Sequence, residues 1–241
     1  MRKLVVILLA LVAAFPSFSQ ENPEAKKPPV LPKRAADHFM IQFALNSWQG
    51  APDSINSRMG GFQRSANVYV MLDKPFKGNP RLSVAAGVGV GTSNIYFKKM
   101  TVGITAASPK LPFRAADTTD NYKKYKLSTA FLEVPLELRF TSNPAAPNKT
   151  LKAAVGVKLG TLLNAHTKGK NLRNSSGTVI SEKTVKEASK SYFNTTRVSA
   201  TARFGYGNFT LFGAYALTGI FKDGVAPDMK TLQVGLAFSG L

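Results

Sequence analysis

The sequence predicts an all-β protein, folded as an eight-stranded antiparallel transmembrane β-barrel. Apolar residues recur at every second position in eight segments, as expected for strands whose two faces meet different environments. The connections between these segments are alternately long and short, which is the pattern of bacterial outer-membrane barrels. The 241 residues include no Cys, and this excludes disulfides and thiol chemistry.

The first predicted element is a secretory signal peptide over residues 1–19. A short basic start precedes an apolar run over 4–15, and the small residues Ser17 and Ser19 suit cleavage after Ser19. The run has twelve residues before Pro16, fewer than the ~20 that a membrane-spanning helix needs. A permanent membrane helix is therefore the weaker interpretation.

The second predicted element is a periplasmic linker over residues 20–37, which holds four prolines and shows no alternation. The barrel domain is expected to occupy 38–241. Cleavage of the signal would change the formal net charge from +19 to +17, because Arg2 and Lys3 are lost.

The eight predicted strands follow in order. They cover 38–48, 65–73, 81–96, 125–140, 150–163, 193–206, 209–217 and 231–238. The third shows the pattern most clearly, since Val84 and Val88 share one face while Gly87 and Gly89 share the other. Aromatic residues near the strand ends predict two girdles at the membrane interfaces. One would contain Trp48, Tyr96, Phe97, Tyr122 and Tyr192, and the other Phe39, Phe76, Phe140, Tyr206 and Phe209.

The apolar face of these strands is predicted to meet lipid, and the other face to line a narrow lumen. A soluble barrel also alternates, but its apolar face points inward. Glycines weaken a strand that faces solvent, whereas they suit a narrow lumen, because eight strands leave only enough room for side chains to fill it. The glycine-rich face here contains Gly87, Gly89, Gly91, Gly156, Gly160, Gly205 and Gly235.

Charged residues on the glycine-rich face are expected to form a network of ion pairs in the lumen, because an unpaired buried charge is costly. They are Glu133, Glu137, Arg139, Lys152, Lys158, Arg197 and Arg203. Symmetric closure of the turn at 141–149 would place Glu133 beside Lys158 and Glu137 beside Ala154. Pro135 removes one ladder hydrogen bond from the fourth strand, and this predicts a bulge there.

The connections place both termini on the periplasmic side. Those at 74–80, 141–149 and 207–208 are short, and those at 49–64, 97–124, 164–192 and 218–230 are long and polar. The second and third long loops each carry a net charge of +4. Candidate residues for an anionic partner are Lys98, Lys99, Lys123, Lys124, Lys168, Lys170 and Arg173. These loops either contact phosphates of outer-leaflet lipopolysaccharide or an acidic partner, or form a solvated charged surface.

Three segments resemble an outer-membrane β-barrel family of the Bacteroidota that includes the PorT-like proteins. They are LEVPLELRF within the fourth strand, AYALTGIFKDG from the seventh, and the final TLQVGLAFSGL; the end of the signal, FPSFSQ, is similar to signals of that phylum. The resemblance implies a barrel in the outer membrane. It also implies a candidate accessory role in type IX secretion, with secretion-system proteins as partners.

The sequence favours a non-enzymatic structural or interaction protein of the outer membrane, with no cofactor and no nucleic-acid partner. The first alternative is a narrow anion-preferring pore, because the seven inward charges sum to +3. The second is a lipid A-modifying enzyme in which His166 acts as a base near Ser191 or Glu187. With two His and no Cys, the chain offers few metal ligands.

Overall fold

A computed structural model describes residues 39–60, 62–116 and 120–239. The signal peptide predicted at 1–19, the linker predicted at 20–37 and His38 lie outside the described residues.

Strands dominate the described part of the chain. They are β1 (Phe39–Gln49), β2 (Arg64–Pro75), β3 (Leu82–Phe97), β4 (Met100–Val102), β5 (Phe113–Ala115), β6 (Asn121–Thr141), β7 (Leu151–Arg173), β8 (Val179–Ala188), β9 (Thr196–Tyr206), β10 (Phe209–Ala216) and β11 (Lys230–Ser239), with one short helix, α1 (Asp53–Asn56), after β1. Among the described residues, no helix has the length and apolar character to cross a bilayer.

Eight of these strands form a closed antiparallel barrel, as predicted. Its order is β1, β2, β3, β6, β7, β9, β10 and β11, and the pairing of β11 with β1 closes the ring. The β8 strand pairs with the outer part of β7, and β4 pairs with β5 in a separate hairpin. Each barrel strand is therefore antiparallel to both of its neighbours, and the barrel has no free edge.

The apolar face points outward and the glycine-rich face points inward, as predicted. Val88 is 49% exposed and Leu138 is 47% exposed, although both are apolar. On the inward face, Ser83, Glu137 and Arg139 are buried. The aromatic residues predicted at the end with the short turns, which we call the periplasmic end after that prediction, are exposed; they are Phe39, Phe76, Phe140, Tyr206 and Phe209.

The chemistry of the two faces reverses along the barrel. On β6, the outward residues from Phe140 to Leu132 are apolar, and the inward residue Glu133 is buried. Beyond Phe131, the outward residues become polar and the inward residues become apolar, with Leu127 buried. The barrel thus continues past its apolar band as a second tier with a core like that of a soluble protein.

The predicted outer aromatic girdle is wrong for Trp48, Phe97 and Tyr192. They belong to the core of this second tier, where Trp48 is 6% exposed and Phe97 is 4% exposed. The ring of Trp48 makes edge contacts with Phe97 and Phe221, each at 5.8 Å between centroids. Buried residues from the long connections, among them Ile104, Leu111 and Met229, complete a core that caps the outer end of the barrel.

Two predicted loops contain strands. The segment 97–124 contains β4, β5 and the start of β6, and the segment 164–192 contains the outer part of β7 and all of β8. The strands were missed because these segments contain many lysines and serines and few apolar residues. Apolar and polar residues therefore do not alternate clearly there.

Pro135 lies in a regular register, so the predicted bulge at this residue is wrong. Pro135 is paired with Lys158, and the register shift between β6 and β7 falls between Ala130 and Phe131. The ladder with β3 omits the rungs of Val134 and Pro135 without changing register, in keeping with the missing N–H of proline. The register predicted from the 141–149 turn is off by two, because Glu133 is paired with Gly160.

Candidate functional site

The inner half of the lumen is filled by a buried charge network in two parts. In the first part, Glu133 accepts a hydrogen bond of 2.7 Å from Arg197 and lies 3.8 Å from the Lys158 ammonium. The Tyr69 hydroxyl, on β2, also donates to Glu133. The Arg197 guanidinium also lies 3.8 Å from the Phe131 ring centroid, which is a cation–π contact.

The second part of the network lies nearer the periplasmic end. Glu137 accepts hydrogen bonds of 2.7 Å from Arg203 and 2.9 Å from Arg139. Arg139 lies 3.7 Å from Asp73, which accepts a 2.7 Å hydrogen bond from the Ser83 hydroxyl. Opposite charges thus meet across four strands, and fixed protein donors bind the carboxylates.

Glycines make room for these side chains. A Cβ added at Gly91 would collide with the Glu133 carboxylate, and one at Gly160 would lie 3.2 Å from the Glu133 Cγ. The void beside Glu133 and Lys158 has a volume of about 10 Å³. This is at the lower limit for one water molecule, so the lumen is packed at this level.

Two members of the network, Tyr69 and Asp73, were not predicted. Both belong to the inward face of β2, which alternates with the outward face that carries the apolar residues Val68 and Val70. That alternation was available in the sequence, but only the charged residues of later strands had been assigned to the lumen. Lys152, which was predicted, lines a small cavity at the periplasmic end together with Asp73 and Arg203.

A second group of charges lies on the outward surface of the second tier. We call it the basic outer face: five lysines in two rungs that cross β6, β7 and β8, with Tyr96 of β3 at the side. Lys126 is paired with Lys168, which is paired in turn with Lys186, and Tyr96 is paired with Lys126. The other two lysines, Lys124 and Lys170, are paired with each other in the next rung.

The basic outer face places like charges directly opposite one another, which is unfavourable in a sheet. Burial, and then the charge of Lys168, lower the pKa of Lys126. Burial, and then Lys186, Lys126 and Lys168, lower the pKa of the adjacent His166. The Lys126 ammonium is held 2.7 Å from the Asn94 side-chain oxygen and 5.8 Å from the Tyr96 ring centroid. The surface is therefore a fixed cluster of positive charge.

Three of the predicted anion-binding residues, Lys124, Lys168 and Lys170, lie together on this face. They are strand residues, not loop residues as predicted. Lys123 and Arg173 lie on the same strands but outside the two rungs, with Arg173 paired with Asn121, and Lys98 and Lys99 lie in the turn between β3 and β4. Lys126 and Lys186 were missed, and the only signal in the sequence is that Lys126 follows Lys124 by two positions.

The residues considered for catalysis are separated by the sheet. His166 is paired with Ala188 and points to the outer face, whereas Glu187 is paired with Thr167 and points to the inner face. The Ser191 hydroxyl accepts a 3.0 Å hydrogen bond from Ser189. Within the described ranges, no three His, Asp or Glu side chains are grouped as metal ligands.

A comparison with protein families agrees with this architecture. A family model for the outer membrane protein beta-barrel domain matches residues 18–222. The solved structure of Ail, the attachment invasion locus protein of Yersinia pestis, in complex with the heparin analogue sucrose octasulfate, is similar with a TM-score of 0.34 and 14% identity. That alignment covers 83% of this chain and 96% of the Ail chain. No curated protein matches the chain.

Proposed function

The chain belongs to the outer membrane protein β-barrel domain family, and from this premise we propose that the barrel anchors a lipopolysaccharide-binding surface in the outer membrane. The surface is the basic outer face, and its ligands are phosphate groups of lipopolysaccharide in the same leaflet. The protein acts by binding, without catalysis.

The position of the lysines relative to the apolar band carries this proposal. Phe140 and Leu132 bound the band on β6 and are eight residues apart, which corresponds to about 20 Å along the membrane normal for a strand tilted by ~40°. Lys126 lies six residues beyond Leu132 on the same side, roughly 15 Å above the band. We expect this height to match that of the phosphorylated sugars of the outer leaflet.

Electrostatics support a phosphate ligand in particular. The lysines of the rung formed by Lys126, Lys168 and Lys186 repel one another in the free protein. A phosphate bound between them would replace that repulsion with charge-assisted hydrogen bonds. Glu187, on β8, points to the other face of the sheet and leaves the positive charge of these rungs in place.

Neutralising one rung tests the proposal. We expect the triple variant Lys126→Gln, Lys168→Gln, Lys186→Gln to bind lipopolysaccharide at least ~30-fold more weakly, because each charge-assisted hydrogen bond contributes about 1.5–3 kcal/mol. The measurement is a titration of the detergent-solubilised protein with lipopolysaccharide, before and after enzymatic dephosphorylation. Dephosphorylation should weaken binding to the unmodified protein and have little effect on the variant.

The matched control is a second triple variant, which removes three positive charges at other positions: Lys98→Gln, Lys99→Gln and Lys123→Gln. Lys98 and Lys99 lie in the β3–β4 turn, and Lys123 lies near the start of β6, outside the two rungs. Equal losses in both variants would show that only net charge matters and would refute a defined site. If the rung variant binds lipopolysaccharide normally but loses a co-purifying acidic protein, a protein partner would be favoured, such as the secretion-system proteins implied by the resemblance of residues 125–140.

An anion pore is the weaker alternative. The network of Glu133, Arg197 and Lys158 fills the lumen, and the core around Trp48 and Phe221 covers its outer end. We therefore expect no steady single-channel current from the purified protein in planar bilayers. Reproducible unitary conductance with anion preference would instead favour the pore.

A further inference from the structure

A separate cavity of about 380 Å³ opens at the outer mouth of the barrel. It lies between the β4–β5 hairpin and the β7–β8 hairpin, on the inner side of the second tier. Its volume is within the range of small-molecule sites in proteins. The residues that matter for its chemistry are Thr101, Arg114, Tyr122, Tyr125, Thr167 and Glu187.

One wall of the cavity is aromatic and is held in place. The rings of Tyr122 and Tyr125 are stacked, with 5.7 Å between centroids and 24° between planes. The Tyr125 hydroxyl donates to the Val102 carbonyl at 2.9 Å and accepts from the Val102 N–H at 3.0 Å, which fixes the ring to β4. A Cβ on Gly169 would lie 2.7 Å from the Tyr122 ring, so the bare backbone there leaves space for this wall.

The other walls carry two opposite charges and several hydroxyls. Arg114 comes from β5, and Glu187 comes from the inner face of β8. Both side chains are exposed to the cavity, and neither forms an ion pair with another residue that the structure describes. The hydroxyls of Thr101 and Thr167 lie along the same walls.

We propose that this cavity binds an acidic sugar, meaning a pyranose ring that bears a carboxylate. The guanidinium of Arg114 would bind the carboxylate through paired hydrogen bonds, which is the geometry that arginine favours. Glu187 would accept hydrogen bonds from ring hydroxyls, and the threonines would complete the polar contacts. The C–H face of the ring would pack on Tyr122 and Tyr125. This site is distinct from the basic outer face, and it stands or falls independently of the proposed function.

Calorimetric titration of the full-length protein in detergent with free glucuronate tests the proposal. We expect glucuronate to bind at least ten times more tightly than glucose, because glucose lacks the group that Arg114 recognises. Arg114→Gln should remove this preference. Tyr122→Leu should weaken both sugars by a similar factor, since it removes the packing surface and leaves the charges.

Lys110→Gln is the matched control, because it removes one positive charge from the β4–β5 connection outside the cavity lining. It should bind glucuronate like the unmodified protein, and so should the triple variant of the basic outer face. The proposal is overturned if glucuronate does not bind at millimolar concentration. It is overturned equally if Arg114→Gln and Lys110→Gln bind glucuronate with the same affinity. Tighter binding of alanine than of glucuronate would also overturn it, because Arg114 and Glu187 would then hold the carboxylate and the ammonium of an amino acid.

Discussion

Replacing Glu133 with Gln should destabilise the barrel by about 3–5 kcal/mol, the cost of removing one partner from a buried ion pair. Gln keeps the shape of the side chain and removes its charge. Arg197, now at 2.7 Å from the carboxylate, and Lys158, at 3.8 Å, would then be left with excess positive charge in a packed lumen. The void of about 10 Å³ beside them holds one water molecule at most, and a single neutral water cannot replace the charge of the carboxylate.

Unfolding by urea in lipid vesicles, followed by the gel mobility of folded and unfolded forms, would measure this effect. Glu187→Gln is the control, because it removes the same charge from an exposed side chain and should change stability by less than ~0.5 kcal/mol. The double variant Glu133→Gln, Arg197→Gln should recover part of the loss, since one unpaired charge is removed with its partner. If Glu133→Gln is as stable as the control, the network contributes nothing and the assignment fails.

The inner half of the barrel could be predicted because one physical rule applies along its whole length. Lipid outside and a narrow lumen inside require apolar residues to alternate with small or charged ones, as in Leu82 to Gly91 of β3. The same rule identified the lumen charges. It placed Glu133 near Lys158, which lies 3.8 Å away, but it did not give the register, because a shift of two residues preserves the alternation and Glu133 is paired with Gly160.

The outer half could not be predicted in the same way, because its environment is reversed. There the core is apolar and the surface faces water. Leu127 therefore points inward, although Leu132 on the same strand points outward. On β6, the apolar residues occupy even-numbered positions from Leu132 onward, whereas Leu127 and Phe131 occupy odd-numbered positions before it. A prediction that extends the even-numbered pattern therefore fails before Leu132.

The basic outer face depends on pairings between residues far apart in the sequence. Lys126 is 42 positions from Lys168, and Lys168 is paired with Lys186 only because β8 folds back on β7. The composition of the segment 164–192 shows that it is basic, but cannot show that its lysines share a rung with one on β6. The clustering is a property of the fold, whereas the net charge is a property of the sequence.

Adding a single methyl group at Gly89 should destabilise the protein by about 3 kcal/mol, at the upper end of the range for overpacking a tight interior. The Cβ of Gly89→Ala would collide with the Val68 carbonyl oxygen and lie 2.6 Å from the Tyr69 Cα. Because these are backbone atoms of the neighbouring strand, β2 and β3 would have to move apart. Tyr69 would be displaced from Glu133, so the charge network would also be weakened.

The barrel offers a matched position for this substitution. Gly213, on β10, points outward, and a Cβ there would meet nothing within 4 Å. Gly213→Ala should therefore be neutral or stabilising by up to about 1 kcal/mol, because it restricts the unfolded chain without any contact to break. Both variants are compared in the same vesicle unfolding assay. Since the two substitutions are chemically identical, a large difference between them would arise from the direction in which each residue points. Equal stabilities would contradict an inward-facing, close-packed Gly89, and with it the orientation of the whole sheet.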